Sequence, residues 1–141
     1  MSYRLRIFAI IFCVFSAGCR RSSPLSEAIG QRVQSGTSEL NMSSVTSFDR
    51  ENVFVFGPYT PKDVECQTLK HTDSQCISEG LREVDEDESL MVFLHGASVN
   101  RVESVPRRIA DFDDSCLNRG FNKGAAKFLV EKRPRVYIVC H

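Results

Sequence analysis

Tryptophan is absent from this 141-residue chain, histidine occurs three times, and neither charge sign is in excess, with 18 Lys and Arg against 18 Asp and Glu. Each shortage removes a class of function. A neutral balance leaves no electrostatic footprint for nucleic acid, and Arg20-Arg21 is too small to serve as a polybasic membrane patch. After the first twenty residues no apolar run approaches the ~20 residues that a spanning helix requires. No two cysteines stand at C-x-x-C spacing, and His71, His95 and His141 form no ligand pair, so neither a metal site nor a cofactor is expected. G-x-S-x-G is missing, and Gly120 and Gly124 lack the strand–helix context of a phosphate-cradling loop. Asp111, Asp113 and Asp114 crowd together, but acids in a loop are ordinarily solvated; no catalytic residue is assigned.

What the chain does have begins at its N-terminus. Arg4 and Arg6 precede an uncharged apolar run, Ile7 to Phe15, and small residues then lead into a cysteine, Ser16-Ala17-Gly18-Cys19. Positive, apolar and small-residue regions in that order are the parts of a secretory signal. A run of about ten residues makes a helix of roughly 15 Å, half the ~30 Å hydrocarbon core, so it is too short to span. Ser16 to Cys19 resembles the lipobox of bacterial lipoproteins, whose signal peptidase cuts before a lipid-modified cysteine. That resemblance implies loss of residues 1–18, palmitate-type acylation of Cys19, and a lipid-anchored place on the membrane of the cell envelope. Arg20 stands where lipoproteins retained in the inner membrane often carry Asp, which implies the outer membrane in a diderm cell. Cleavage would leave 123 residues with 16 basic and 18 acidic side chains, enough for one domain.

Beyond Cys19 four cysteines remain, Cys66, Cys76, Cys116 and Cys140. An even number in an exported chain argues for two disulfides, with three possible pairings. Loop closure favours the local pairs Cys66–Cys76 and Cys116–Cys140, each contributing roughly 3 kcal/mol in the chain-entropy model.

Taken in order, residues 19–37 read as a tether holding a short docking helix. Ser23 is its cap, Pro24 its first position, and Gly36 its end. A domain is expected over residues 38–141, of α+β class, with a small mainly antiparallel sheet and one or two short helices. Leu40 to Met42 suggests a short strand. Val53 to Phe56 reads as a central strand buried on both faces and stopped by Gly57-Pro58. Thr60 then looks like an N-cap, with Pro61 at the first helical position and Asp63 completing a capping box. Thr72 to Glu79 reads as a polar loop, and Glu83 to Glu88 as a solvated acidic turn lacking the pattern of a calcium loop. Leu90 to Leu94 is a second strong strand; His95 to Ser98 turns it, and Val99 to Val105 returns as a one-sided edge strand. Arg107-Arg108 could bind an anion, but two arginines beside acidic loops read as surface. Ala125 to Val130 and Val136 to Cys140 are two further strands around a hairpin loop.

The run from Phe48-Asp49 through Val53-Phe54-Val55-Phe56-Gly57-Pro58-Tyr59-Thr60-Pro61 resembles a motif of small, uncharacterised bacterial lipoproteins and exported proteins. Arg50 departs from that pattern, in which Trp commonly follows the Phe-Asp start. The resemblance implies one domain and no particular activity. The expectation is therefore a cell-envelope binding or interaction module: an assembly accessory, an inhibitor or an immunity-like protein. It would be held to the membrane through lipid on Cys19, with a protein partner in the envelope. The competing expectations are an enzyme acting on an envelope polymer and a purely structural surface lipoprotein.

Overall fold

The computed structural model describes residues 22–141, so the lipobox and Cys19 lie outside the described residues. The elements run α1 (Pro24–Gln34), β1 (Glu39–Asn41), β2 (Asn52–Phe56), α2 (Lys62–Leu69), α3 (Asp73–Ser78), β3 (Glu88–His95), β4 (Ser98–Pro106), β5 (Asp111–Phe112), β6 (Arg119–Asn122), β7 (Lys127–Arg133) and β8 (Arg135–Val139), with single 3-10 turns at Met42–Ser44 and Asp114–Cys116. They form two four-stranded sheets, ordered β1-β7-β8-β5 and β4-β3-β2-β6. Every pairing is antiparallel except β5 with β8. The fold is a small α+β domain, with one helix more than the sequence suggests.

The second sheet is buried on both faces because β2 and β3 are apolar at successive positions. Strand alternation sends Val53, Val55, Met91 and Phe93 to one side, where they meet Leu40, Phe128 and Ile138 of the first sheet. It sends Phe56, Leu90, Val92 and Leu94 to the other, where they meet Cys66 and Leu69 of α2 and Cys76 of α3. The central strand anticipated at Val53 to Phe56 is therefore present, and β4 is the edge strand the sequence indicates. At β6, Gly120 lies opposite Phe54, and a Cβ there would come within 2.5 Å of that ring, so the aromatic lies flat over the strand.

Both local disulfides are present, Cys66–Cys76 joining α2 to α3 and Cys116–Cys140 tying the C-terminus to the turn before β6.

Within residues 19–37 the expected docking helix is present as α1: Ser23 caps it, and Leu25, Ile29 and Val33 dock it into the inter-sheet core. Ser26 reinforces the docking by donating to the Ser104 carbonyl of β4. The inter-sheet core thus includes residues of α1. Several local readings change. Thr60 does not cap α2; its hydroxyl donates to the Gly57 carbonyl at 2.7 Å, and Pro61 takes the cap position without a side-chain bond. The expected loop from Thr72 to Glu79 holds α3, started by a capping box between Thr72 and Gln75. The acidic run is only partly solvated, since Val84 and Glu88 are buried and Glu88 accepts from Arg82 and Ser104. β5 and β6 have too few residues to show a period, and neither was legible as a strand.

Candidate functional site: a basic cleft around Tyr59

The residues singled out by chemical type do not converge. His95 ends β3 at an exposed hairpin, 3.6 Å from Asp49 and 3.9 Å from Glu51. Asp49 also pairs with Lys123 at 3.2 Å, and that hydrogen bond chiefly holds its carboxyl below the ordinary range. His71 places Nδ1 2.8 Å from Glu79 and Nε2 2.9 Å from the Ala97 carbonyl, joining the end of α2 to the β3–β4 turn. His141 is exposed at the last position. Asp113 accepts from the Ser115 backbone N–H at 3.0 Å, which holds its carboxyl low, and starts the turn before β6. Among the described residues no group of three or more His, Cys, Asp and Glu is placed to hold a metal ion.

Asp111 is a different case. It is buried on β5 and accepts Nε of Arg107 at 3.0 Å and Nη2 at 2.7 Å, a two-pronged pair. Those bonds hold the guanidinium firmly protonated, raising it above its ordinary value. The Arg107 backbone N–H donates to the Asp87 carbonyl and its Nη1 to that of Glu86. The arginine read as plain surface therefore ties the end of β4 to the loop before β3, and the acid read as solvated is what fixes it.

Around this tie lies a cleft of about 1030 Å³, lined by Tyr59, Glu86, Asp87, Arg107 and Arg108 on one side and Lys132, Pro134, Arg135 and Val136 on the other. The second wall is the β7–β8 hairpin, where Arg133 pairs with Arg135 across Pro134. The side chains of Lys132 and Arg135 have no hydrogen-bond or ion-pair partner among the described residues. Arg108 has one long contact, Nη2 to the Ser22 hydroxyl at 3.5 Å. Three cations thus retain donors for a ligand. On the acidic wall, the Glu86 carboxylate accepts the Tyr59 hydroxyl at 2.7 Å, and this bond raises the phenol's pKa.

Tyr59 is 64% exposed and holds φ at 61°, the left-handed region that a bulky side chain rarely adopts. Such a conformation persists only where the surroundings over-determine it, and it gathers at functional positions. Here Pro58 fixes the approach, the Tyr59 N–H donates to the Val84 carbonyl at 2.9 Å, and the Val84 N–H returns to the Thr60 carbonyl at 3.1 Å. The backbone is pinned so that an aromatic ring stands in water beside cations. Tyr59, Lys132 and Arg135 were missed because each is unremarkable by type. The available signal was the clustering of Lys132, Arg133 and Arg135 around one proline.

No family model, no curated protein and no solved structure matches this chain.

Proposed function

We propose that this protein is a lipid-anchored binding module of the cell envelope, working by contact, and that the cleft around Tyr59 is its contact site for an anionic ligand. The observation that carries the reading is a water-exposed aromatic ring in a left-handed backbone, set beside Arg108, Lys132 and Arg135 with open donors. Such groups recognise: guanidinium and ammonium donors meet oxyanions, and a ring offers a flat apolar surface with a polar tip. Anchoring by lipid on Cys19 would confine the module to a surface, where high effective concentration makes modest affinity sufficient.

The test is complementation of a deletion strain. Tyr59→Ala and the double change Lys132→Ala with Arg135→Ala are expected to lose function while the protein stays folded and lipidated. His95→Ala is expected to complement fully. The opposite pattern, with His95→Ala reproducing the deletion and the cleft changes silent, would replace this reading with that of an enzyme acting on an envelope polymer.

A further inference from the structure

The position of the cleft relative to the chain's own anchor narrows its ligand. Ser22, the first described residue, touches Arg108 through its hydroxyl, and both line a second depression beside the cleft, where Arg82 meets the carboxylates of Asp85 and Glu88 while Glu83 and Asp87 add two further acids. Cys19 precedes Ser22 by three residues. Three residues reach at most ~11 Å even when fully extended. The polar headgroup layer on each side of a bilayer is itself about 5–8 Å thick. A cysteine whose acyl chains enter the hydrocarbon therefore holds Ser22, and Arg108 with it, at the level of the headgroups or a few ångströms above them. The Debye length in physiological salt, about 8 Å, is of the same size, so these charges fall within the field of the lipid phosphates.

We infer that the cleft faces the membrane bearing the chain's own anchor and binds phosphate-bearing lipid headgroups there, with Arg108, Lys132 and Arg135 meeting phosphate oxygens and Tyr59 lying in the interface. This deepens the proposed function and rests on its assignment of a lipid to Cys19. The composition of the cleft agrees with the inference. Its three open cations match oxyanions, and Tyr59 has the apolar body and polar tip of an interfacial aromatic. Arg107 is committed to Asp111 and carbonyls, so it shapes the wall and is not counted among the binding donors. On the acidic wall Glu86 is occupied by the tyrosine hydroxyl, which leaves the Asp87 carboxylate as one counter-charge against the three open cations. A peptide partner would need no particular relation between the cleft and residue 22; a headgroup ligand requires their proximity.

The chain has no tryptophan, so Tyr59→Trp creates a unique fluorophore at the cleft. The full-length lipidated protein carrying that change is reconstituted in vesicles of phosphatidylcholine alone, or of phosphatidylcholine with phosphatidylglycerol, each containing brominated acyl chains. The expected result is a blue-shifted emission quenched by bromine in the anionic vesicles, reversed by 0.5 M salt and absent from the neutral ones. Each basic residue near an anionic surface is worth roughly fivefold, so replacing Arg108, Lys132 and Arg135 with Ala should lower the docked-to-undocked ratio about a hundredfold. Competition by millimolar inorganic phosphate would support a site for the phosphate group itself. Equal quenching in both vesicle types, or quenching unchanged in the triple variant, would overturn the inference, as would emission that responds only to an added acidic peptide. Mass spectrometry of the same preparation reports the acyl groups on Cys19 separately, so an unlipidated cysteine would sink the anchor assignment and be told apart from a failure of the cleft.

Discussion

The two sides of the β4-β3-β2-β6 sheet are built by different means. Toward the other sheet, eighteen buried residues from α1, both sheets and the turns between them interlock, including Phe93, Phe112, Phe121, Phe128 and both cysteines of the Cys116–Cys140 disulfide. Toward α2 and α3 there are only nine, so the two cysteines of Cys66–Cys76 make up a much larger share of that side. Each side also buries a poorly satisfied charge. Arg50 beside the large core keeps only a 3.5 Å contact to Ser43, and both carboxylate oxygens of Glu65 beside the small core lack a hydrogen bond. A large core absorbs such a cost in its own packing; a thin helical cover depends on its covalent staple. The cleft forms where the two sides meet. The loop closing the small core presents Tyr59, and the hairpin rooted in the large core presents Lys132 and Arg135.

The largest effect should come from the large core. Val55 is fully buried, and Val55→Asp places a carboxylate there without a partner, at a cost of several kcal/mol. No soluble, protease-resistant domain is expected, and recovering one would show that this side tolerates far more than its packing implies.

The disulfides separate the two sides next. In the chain-entropy model, opening the 24-residue span of Cys116–Cys140 costs about 3.5 kcal/mol and the 10-residue span of Cys66–Cys76 about 2.7 kcal/mol. Denaturant midpoints of the two Cys→Ala pairs should follow that order. Hydrogen exchange should rise across α2 and α3 alone when Cys66 and Cys76 are replaced, because a thin cover opens locally. Exchange rising equally in β7 and β8 would mean that the two cores unfold as one unit.

Glu65 gives the small core a pH signature. Burial pushes its carboxyl up to about 7 from 4.5, with Arg82 pulling more weakly the other way. The folded state holds this proton more tightly than the unfolded one, so the favourable contribution is complete below about pH 4.5. It is lost as pH rises to about 7, for a total of about 3 kcal/mol. Glu65→Gln should therefore be more stable than the parent at pH 8, with the difference shrinking toward pH 5. A difference in unfolding free energy that stays constant with pH would remove Glu65 from the account.

The smallest effect is expected at the join. Left-handed backbone costs a non-glycine residue about 1–2 kcal/mol, and glycine returns part of that gain as chain entropy. Tyr59→Gly should raise the melting temperature slightly and Tyr59→Ala should not, since alanine keeps the strain. Both should lose ligand binding. A stable Tyr59→Gly that still binds would show that the ring has no part in the site.

Elements with a strong local cause were legible from the residues. The apolar runs of β2 and β3, the Ser23-Pro24 start of α1 and the two local disulfides needed no partner to be recognised. α3 could have been read as well, since Thr72 to Gln75 carries the capping-box spacing. Thr60 shows the limit of such reading. It has the same credentials as an N-cap, yet its hydroxyl found the Gly57 carbonyl, because the turn before α2 is closed from outside by Val84.

The sequence by itself determined the covalent frame and the period of each long element: a four-cysteine domain with two strands apolar on both faces. Only the tertiary structure decided that α1 is core, that β5 and β6 are strands, that Asp111 anchors Arg107, and that Tyr59, Arg108, Lys132 and Arg135 share one cleft. The reason is physical. Periodicity and capping act within one or two turns of chain, whereas a two-residue strand exists only through the strand beside it. A cleft exists only where segments some seventy residues apart are brought together by the burial of other side chains.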